Sequence, residues 1–292
     1  MLEFRHILFP VDFSEQGDAF RPLVQFVARH FQARLTLLHA VPILTGADYG
    51  DIAGMFAAAV DYTAIEERMG TLLRDFFPLQ EEEGIPECTR KVSLGDPAVV
   101  IADYAANNKV DLIMMPTHGY GRFRSLLIGS VVSKVLHDAE CPVWTSAHAD
   151  VPVEAAPVSV RSILAALDLA EGQKEIICGA TDLAAKFNAT VKLVHAVPAA
   201  EHVPGDTGGD EFGNFLVRSA REHLENLQAG AGTDFELLVE PGPVAQTIRK
   251  VALETKADLV VVGRGLMQAA FGRLRSREYE IIRESPCPVL SL

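Results

Sequence analysis

The stretch PTHGYGRFRSLLIGS, residues 116–130, has the residue types of an anion-binding loop that leads into a helix. It contains three glycines, a histidine and two arginines, and it ends in the pair Gly129-Ser130. Glycines let the backbone approach a phosphate, and the amides at a helix N-terminus stabilise negative charge. Because such motifs also occur in ordinary loops, the interpretation depends on the elements around this one.

Several side chains of this loop have two possible roles. Ser130 either donates its hydroxyl to a phosphate or caps the helix. Arg122 and Arg124 either bind phosphate oxygens or are solvated loop charges. His118 can donate to a phosphate, but we do not expect it to act as a general base because no nucleophile stands beside it.

The sequence contains an internal duplication. RHILFPVDFSE at 5–15 matches RSILAALDLAE at 161–171, and ARLTLLHAVP at 33–42 matches ATVKLVHAVP at 189–198. Two later pairs keep the same order: 109–119 with 256–266, and 138–146 with 284–292. The duplication predicts two similar domains, 1–147 and 161–292, joined by a linker at 148–160.

Each copy alternates short β-branched runs with longer amphipathic stretches. This alternation predicts an α/β fold in which each domain has a five-stranded parallel, Rossmann-like sheet. In the first copy we predict strands at 7–11, 35–39, 88–93, 112–115 and 143–145, and helices at 14–31, 62–79, 97–107 and 130–138. Ser14 is the expected cap of the first helix.

In open parallel sheets, ligands bind beyond the carboxyl ends of the strands, where the strand order reverses. That rule places Asp12, residues 39–41 and residues 116–130 at one edge. Asp12 either contacts a ligand or caps the following helix. His39 and its repeat His195 lack a second metal ligand at nearby helical or strand spacing, which favours a structural role for both.

Four motifs together resemble the universal stress protein family. They are ILFPVDFSE, LLHAVP, GDPAVVIADYAANNKVDLIMMPTHG and GSVVSKVLHDAECPV, and they run through most of the first copy. The resemblance implies an adenine-nucleotide alpha-hydrolase-like fold, with members that often occur as tandem pairs. ATP-binding members carry a loop of the form G-x2-G-x9-G-(S/T).

In this chain Gly119 is followed by nine residues and then Gly129-Ser130, so the second half of that pattern is intact. Pro116 stands at the first glycine position, where it supplies no amide and cannot adopt positive φ. The resemblance implies that ATP or a related adenine nucleotide binds here, with Mg²⁺ bridging its phosphates. The implied site residues are Pro10, Val11, Asp12, Ala40, Val41, Met115, Pro116, His118, Gly119, Arg122, Gly129, Ser130 and Val131.

The second copy keeps Asp168 and Gly263, but its loop departs from the pattern. Leu266 occupies the second glycine position, and the Gly-Ser pair is replaced by Arg275-Ser276. Side chains there stand where phosphates need bare backbone. We therefore expect a degenerate second site.

Composition excludes several classes of function. A net charge of −13 argues against nucleic acid as a partner, and no apolar run approaches the length of a membrane span. The N-terminus lacks the features of a signal peptide, and four scattered cysteines indicate neither a zinc site nor a disulfide framework, which favours a cytoplasmic location. No catalytic carboxylate pair, Walker lysine or HIGH-type signature is present, so we expect at most a slow ATPase.

Two functions remain open from the sequence. One is a regulatory stress protein that binds an adenine nucleotide in its first half, and the other is an interaction module with both pockets closed. The resemblance also implies pairing of the final strands, 143–145 with 289–292, so that one chain forms an intramolecular pseudo-dimer. Whether two such chains form a homodimer is left open.

Overall fold

The structure is a computed structural model that describes residues 1–43, 61–78, 83–118, 128–146, 158–169, 172–198, 208–264 and 275–292. The described residues form two compact units. The first lies within Phe4–Arg122 and Gly129–Val143, and the second lies mainly within Trp144–Leu292.

The first unit alternates strands and helices in the predicted order. Its elements are β1 (His6–Pro10), α1 (Glu15–Phe31), β2 (Arg34–Val41), α2 (Tyr62–Phe76), β3 (Cys88–Leu94), α3 (Pro97–Asn107), β4 (Leu112–Met115), α4 (Ser130–Asp138) and β5 (Val143–Thr145). The strand order is β3-β2-β1-β4-β5, and β1 pairs in parallel with both β2 and β4. β2 also pairs in parallel with β3.

The central strands are buried because helices cover both faces of the sheet. All four residues of β4 are buried, as are the first four of β1, which accounts for their continuous apolar sequences. Helix α1 buries Phe20, Val24, Val27 and Phe31, which recur at helical spacing. Ser14 caps α1 as predicted, and its side chain accepts a hydrogen bond from the amide of Gly17.

Helix α2 ends earlier than the sequence pattern predicts. The expected helix runs to residue 79, whereas α2 ends at Phe76 and Phe77 has φ −132° and ψ 84°. Phe77 precedes Pro78, whose ring disfavours helical dihedrals in the residue before it. The prediction was wrong at this end because apolar periodicity continues past the proline.

The second unit repeats this arrangement. Its elements are β6 (Ser162–Ala166), α5 (Gln173–Phe187), β7 (Thr190–Val197), α6 (Gly208–Gly230), β8 (Glu236–Pro241), α7 (Val244–Thr255), β9 (Leu259–Val262), α8 (Arg275–Glu284) and β10 (Val289–Ser291). The strand order is β10-β9-β6-β7-β8, again with parallel pairing. The predicted α/β fold with two tandem domains is confirmed; the exact domain limits and the pairing of the final strands stay predictions.

Candidate functional site

The strand order of the first unit reverses at β1. From β1 the chain moves outward through β2 to β3, and it then returns to place β4 on the other side of β1. The carboxyl end of β1 leads into Asp12, and the carboxyl end of β4 leads into residues 116–118. The two segments therefore flank the position where open parallel sheets bind ligands.

Asp12 supports the cap of helix α1. Its Oδ1 accepts hydrogen bonds from the amide of Ser14 at 3.0 Å and from the Ser14 hydroxyl at 2.6 Å. The Ser14 oxygen in turn accepts from the amide of Gly17 at 3.1 Å. Ser14 is the capping residue and Asp12 orients it, while Oδ2 of Asp12 has no hydrogen-bond partner in the described part of the chain.

Two histidines that are equivalent in the repeat, His39 and His195, each form a hydrogen bond to the backbone that follows the neighbouring strand. His39 Nδ1 donates to the carbonyl oxygen of Val11 at 2.7 Å, and His195 Nδ1 donates to that of Leu167 at 2.8 Å. The His39 ring also packs on Phe13, with ring centroids 4.7 Å apart. These bonds fit the structural role expected for both histidines, and no cluster of three potential metal ligands occurs among the described residues.

Helix α4 begins beside the end of β4. The amide of Gly129 donates to the carbonyl oxygen of Thr117 at 3.0 Å, and Gly129 is the N-cap residue with no side-chain cap bond. Gly129 has no side chain with which to cap the first amides of α4, and these amides mark the positive end of the helix dipole, which favours an anion. Thr117 and His118 are both buried here, and His118 Nδ1 lies 3.1 Å from the Thr117 hydroxyl.

The predicted site residues gather at this edge as far as the structure describes them. Val11, Met115, Pro116 and His118 are buried, and Pro10, Asp12, Ala40, Val41, Gly129 and Val131 are half-buried, with Ser130 exposed. Gly119, Arg122 and Arg124 lie outside the described residues.

Thr117 lies at the candidate site, although the sequence analysis did not include it. Its carbonyl accepts from Gly129 and its hydroxyl contacts His118. Its position between Pro116 and His118, which were both predicted site residues, was the one feature of the sequence that pointed to it. The residue type gave no further indication, because an uncharged residue inside a loop forms no recognisable motif.

The equivalent edge of the second unit is filled by side chains. A Cβ added to Gly263 would lie 3.0 Å from Ile176 Cδ1 and 3.8 Å from Gln173 Nε2, so helix α5 already occupies the space beside this strand end. The Gln173 side chain also accepts from the amide of Asp168 at 3.0 Å. This packing agrees with the degenerate site expected from the sequence.

A buried carboxyl group adds to the difference between the units. Glu278 on α8 corresponds in the repeat to Val132 on α4. Burial raises the pKa of Glu278 above its ordinary value, while the Ser291 hydroxyl and the charge of Arg264 act in the opposite direction. The second unit thus holds a carboxyl group where the first unit has an apolar side chain.

The cysteines are all free thiols. Cys287 is buried, which raises the pKa of its thiol to about 12, whereas Cys141 at the equivalent position is half-buried. No helix in the described ranges combines the length and the apolar character needed to cross a membrane.

Comparison with known proteins gives a family match in both halves. The model of the universal stress protein family matches residues 3–146 and again residues 159–292. A universal stress protein of Thermus aquaticus is 28% identical over 140 residues, which cover 48% of this chain and 96% of that protein. A universal stress protein A-like protein of Arabidopsis thaliana is 27% identical over 115 residues, covering 38% of this chain and 65% of the plant protein.

A solved structure supports the fold over the full length. The crystal structure of a universal stress protein from Archaeoglobus fulgidus has a TM-score of 0.68 to this chain at 20% identity, and the match covers 100% of this chain and 97% of that one. With the family model matching both halves, the chain belongs to the universal stress protein family, as a tandem member.

Proposed function

We propose that this protein is a regulatory stress protein that binds ATP or a related adenine nucleotide in its first unit. The phosphates contact residues 116–130, with Mg²⁺ bridging phosphate oxygens, and the adenosine lies toward Asp12 and the end of β2. One observation carries the proposal: helix α4 begins at Gly129 without a side-chain cap, directly beside the end of β4. Uncapped amides at such a helix start are a common anion site.

The net negative charge of the molecule makes the start of helix α4 important for binding an anion. The chain has a net charge of −13, so its surface as a whole repels a polyphosphate. Binding then depends on the amides at the start of α4 and on cationic or donor groups of the loop. His118, buried beside Gly129, is one such donor in the described residues.

The contrast between the units supports one nucleotide per chain. In the first unit, the described atom that lies nearest to a Cβ placed on Gly129 is Thr117 O, at 3.4 Å.

A second candidate function is an interaction module that binds no nucleotide. Two observations favour it: Pro116 supplies no amide, and Oδ1 of Asp12 is already bonded to Ser14. A cytoplasmic location, compatible with four free thiols, is common to both candidates.

Titration calorimetry of the purified full chain with ATP, with and without Mg²⁺, separates the two candidates. The nucleotide-binding function predicts saturation at about one nucleotide per chain and a raised melting temperature. Absence of any saturable heat, together with an unchanged melting temperature, would favour the interaction module. Saturation at two per chain would contradict the assignment to the first unit alone.

A further inference from the structure

The first unit has a polar cavity at the edge opposite to the candidate nucleotide site. It has a volume of about 120 Å³ and lies at the amino ends of β1, β2 and β3 beside the end of α3. Its strand side chains include His6, Arg34, Thr36, Thr89 and Lys91. Since one buried water needs about 10–15 Å³ of such space, the cavity has room for a small ligand.

Hydrogen bonds link the side chains that line this cavity. His6 Nδ1 lies 2.9 Å from Arg34 Nη2, which can only donate, and 3.1 Å from the carbonyl oxygen of Asn108, which can only accept, so the two contacts use different tautomers of the ring. His6 Nε2 lies 2.9 Å from the Thr36 hydroxyl, and the Thr36 and Thr89 hydroxyls lie 2.9 Å apart. In the tautomer whose Nδ1 accepts from Arg34, Nε2 donates to Thr36 and Thr36 donates to Thr89, which leaves the Thr89 proton for a ligand.

His6 is suited to a neutral role in this chain of bonds. Its side chain is buried, and burial lowers its pKa below the ordinary value of 6.5. The charge of Arg34 acts in the same direction on this pKa, whereas the hydrogen bond to Asn108 and the charges of Asp111 and Glu87 act in the opposite direction. Arg34 Nη2 also donates to the carbonyl oxygen of Asn108 at 3.1 Å. Both contacts of Arg34 are with uncharged groups.

Two cations, Arg34 and Lys91, line the cavity. Neither Arg34 nor Lys91 forms an ion pair with any carboxylate in the described ranges, although Glu87 also lines the cavity. Glu87 is the one carboxylate among the lining residues, and the charge of Asp111, which accepts from the amide of His6 at 3.0 Å, also acts on the His6 ring. The guanidinium of Arg34, which has further N–H groups besides those on Nη2, the ammonium of Lys91 and the Thr89 hydroxyl are donors that suit an oxyanion.

In the second unit, the residues equivalent to those of the cavity include an ion pair. By the repeat, Ser162 and Thr190 replace His6 and Arg34. The strand pair Thr36–Thr89 is replaced by Lys192 and Glu236, which form an ion pair at 2.7 Å. The unpaired cations are therefore a property of the first unit and not of the fold.

We infer that this cavity binds a small tetrahedral oxyanion of the phosphate class, held by Arg34, Lys91 and the Thr89 hydroxyl. The ion is either free phosphate or the terminal phosphate of a small metabolite whose remainder lies outside the open mouth. This site is separate from the nucleotide site, because it lies at the amino ends of the strands.

Titration of the full chain with inorganic phosphate, followed by ³¹P NMR at constant ionic strength, tests the inference. We expect saturable binding that weakens at least about tenfold in Lys91→Leu and in Arg34→Thr, which introduce the residues of the second unit. Gly129→Arg should leave this binding unchanged, because it alters only the opposite edge. Lys192→Thr removes one positive charge from the equivalent position of the second unit and should also have no effect.

A comparison of glycerol 3-phosphate with inorganic phosphate identifies the source of the anion. Glycerol 3-phosphate that binds at least about tenfold tighter than phosphate indicates an organic phosphate, and equal or weaker binding indicates the free ion. The inference is overturned if millimolar phosphate shows no saturable binding, or if Lys91→Leu binds as wild type. It is also overturned if Gly129→Arg abolishes the binding. Lys91 is exposed on the edge strand β3, and a thermal unfolding curve establishes that its variant is folded.

Discussion

The amide of Gly129 and the carbonyl oxygen of Thr117 are joined by a hydrogen bond of 3.0 Å. Residues that are far apart in the loop motif therefore lie side by side, and the start of helix α4 is fixed to the end of β4. Gly129 has φ −56°, so it is not needed for an unusual backbone conformation. Its value to the site lies in leaving the space before the α4 amides free of a side chain.

Substitutions at Gly129 should show whether a side chain at this position blocks phosphate access to the first amides of α4. In Gly129→Arg, the long side chain covers the first amides of α4, and we expect ATP affinity to fall at least about tenfold. Gly129→Ala is the matched control, because its Cβ would lie 3.4 Å from Thr117 O, which is an ordinary contact. Calorimetry that gives equal affinities for the arginine variant and wild type would place the phosphates elsewhere.

Asp12 should contribute to stability through Ser14. Asp12→Ala leaves the Ser14 amide and hydroxyl without their acceptor, and we expect the free energy of unfolding to fall by about 2 kcal/mol. Asp12→Asn keeps an oxygen at the same place, so it should cost about half as much. Urea unfolding of both variants is the measurement, and equal losses would show that the carboxylate charge matters more than the acceptor.

Sequence patterns predicted the elements better than the contacts between them. The limits of α3, β4, α4 and β5 agree with the prediction because each is bounded by local signals, such as Asp96 before Pro97 and Gly129 before Ser130. The end of α2 was missed because apolar periodicity outweighed Pro78.

Parts of the site depend on register, which a single sequence does not display. The packing of Ile176 against Gly263 joins residues far apart in the chain. The polar cavity likewise combines β1, β2 and β3, and His6, Thr36 and Thr89 share no recognisable spacing. Only the parallel pairing of Thr36 with Thr89 brings their hydroxyls to 2.9 Å.

The thiols should differ sharply in reactivity. Cys178 is exposed on α5, whereas Cys287 is buried and the pKa of its thiol is about 12. Because the thiolate is the reactive form, a disulfide reagent at pH 8 should modify Cys178 rapidly and Cys287 only after unfolding. Cys178→Ser should remove the fast phase, and labelling of Cys287 at a similar rate in the native protein would contradict the burial.

Glu278 should make the stability of the protein decrease as pH rises. Burial raises the pKa of this carboxyl in the folded protein above its ordinary value of 4.5, so the folded state retains a proton that the unfolded chain has released. Below pH 4.5 both states are protonated and Glu278 costs nothing. Between pH 4.5 and the raised value the folded state binds more protons than the unfolded state, and the free energy of unfolding falls with pH.

The variant Glu278→Gln removes this penalty without removing the side chain. We expect its melting temperature to match wild type near pH 4 and to exceed it at pH 7, with about 1.4 kcal/mol for each unit by which the folded pKa lies above the unfolded one. Glu280→Gln on the exposed face of α8 is the matched control, since it changes the same charge without burial. A stability difference between Glu278→Gln and wild type that stays constant from pH 4 to pH 7 would show that Glu278 ionises as freely in the folded protein as in the unfolded chain.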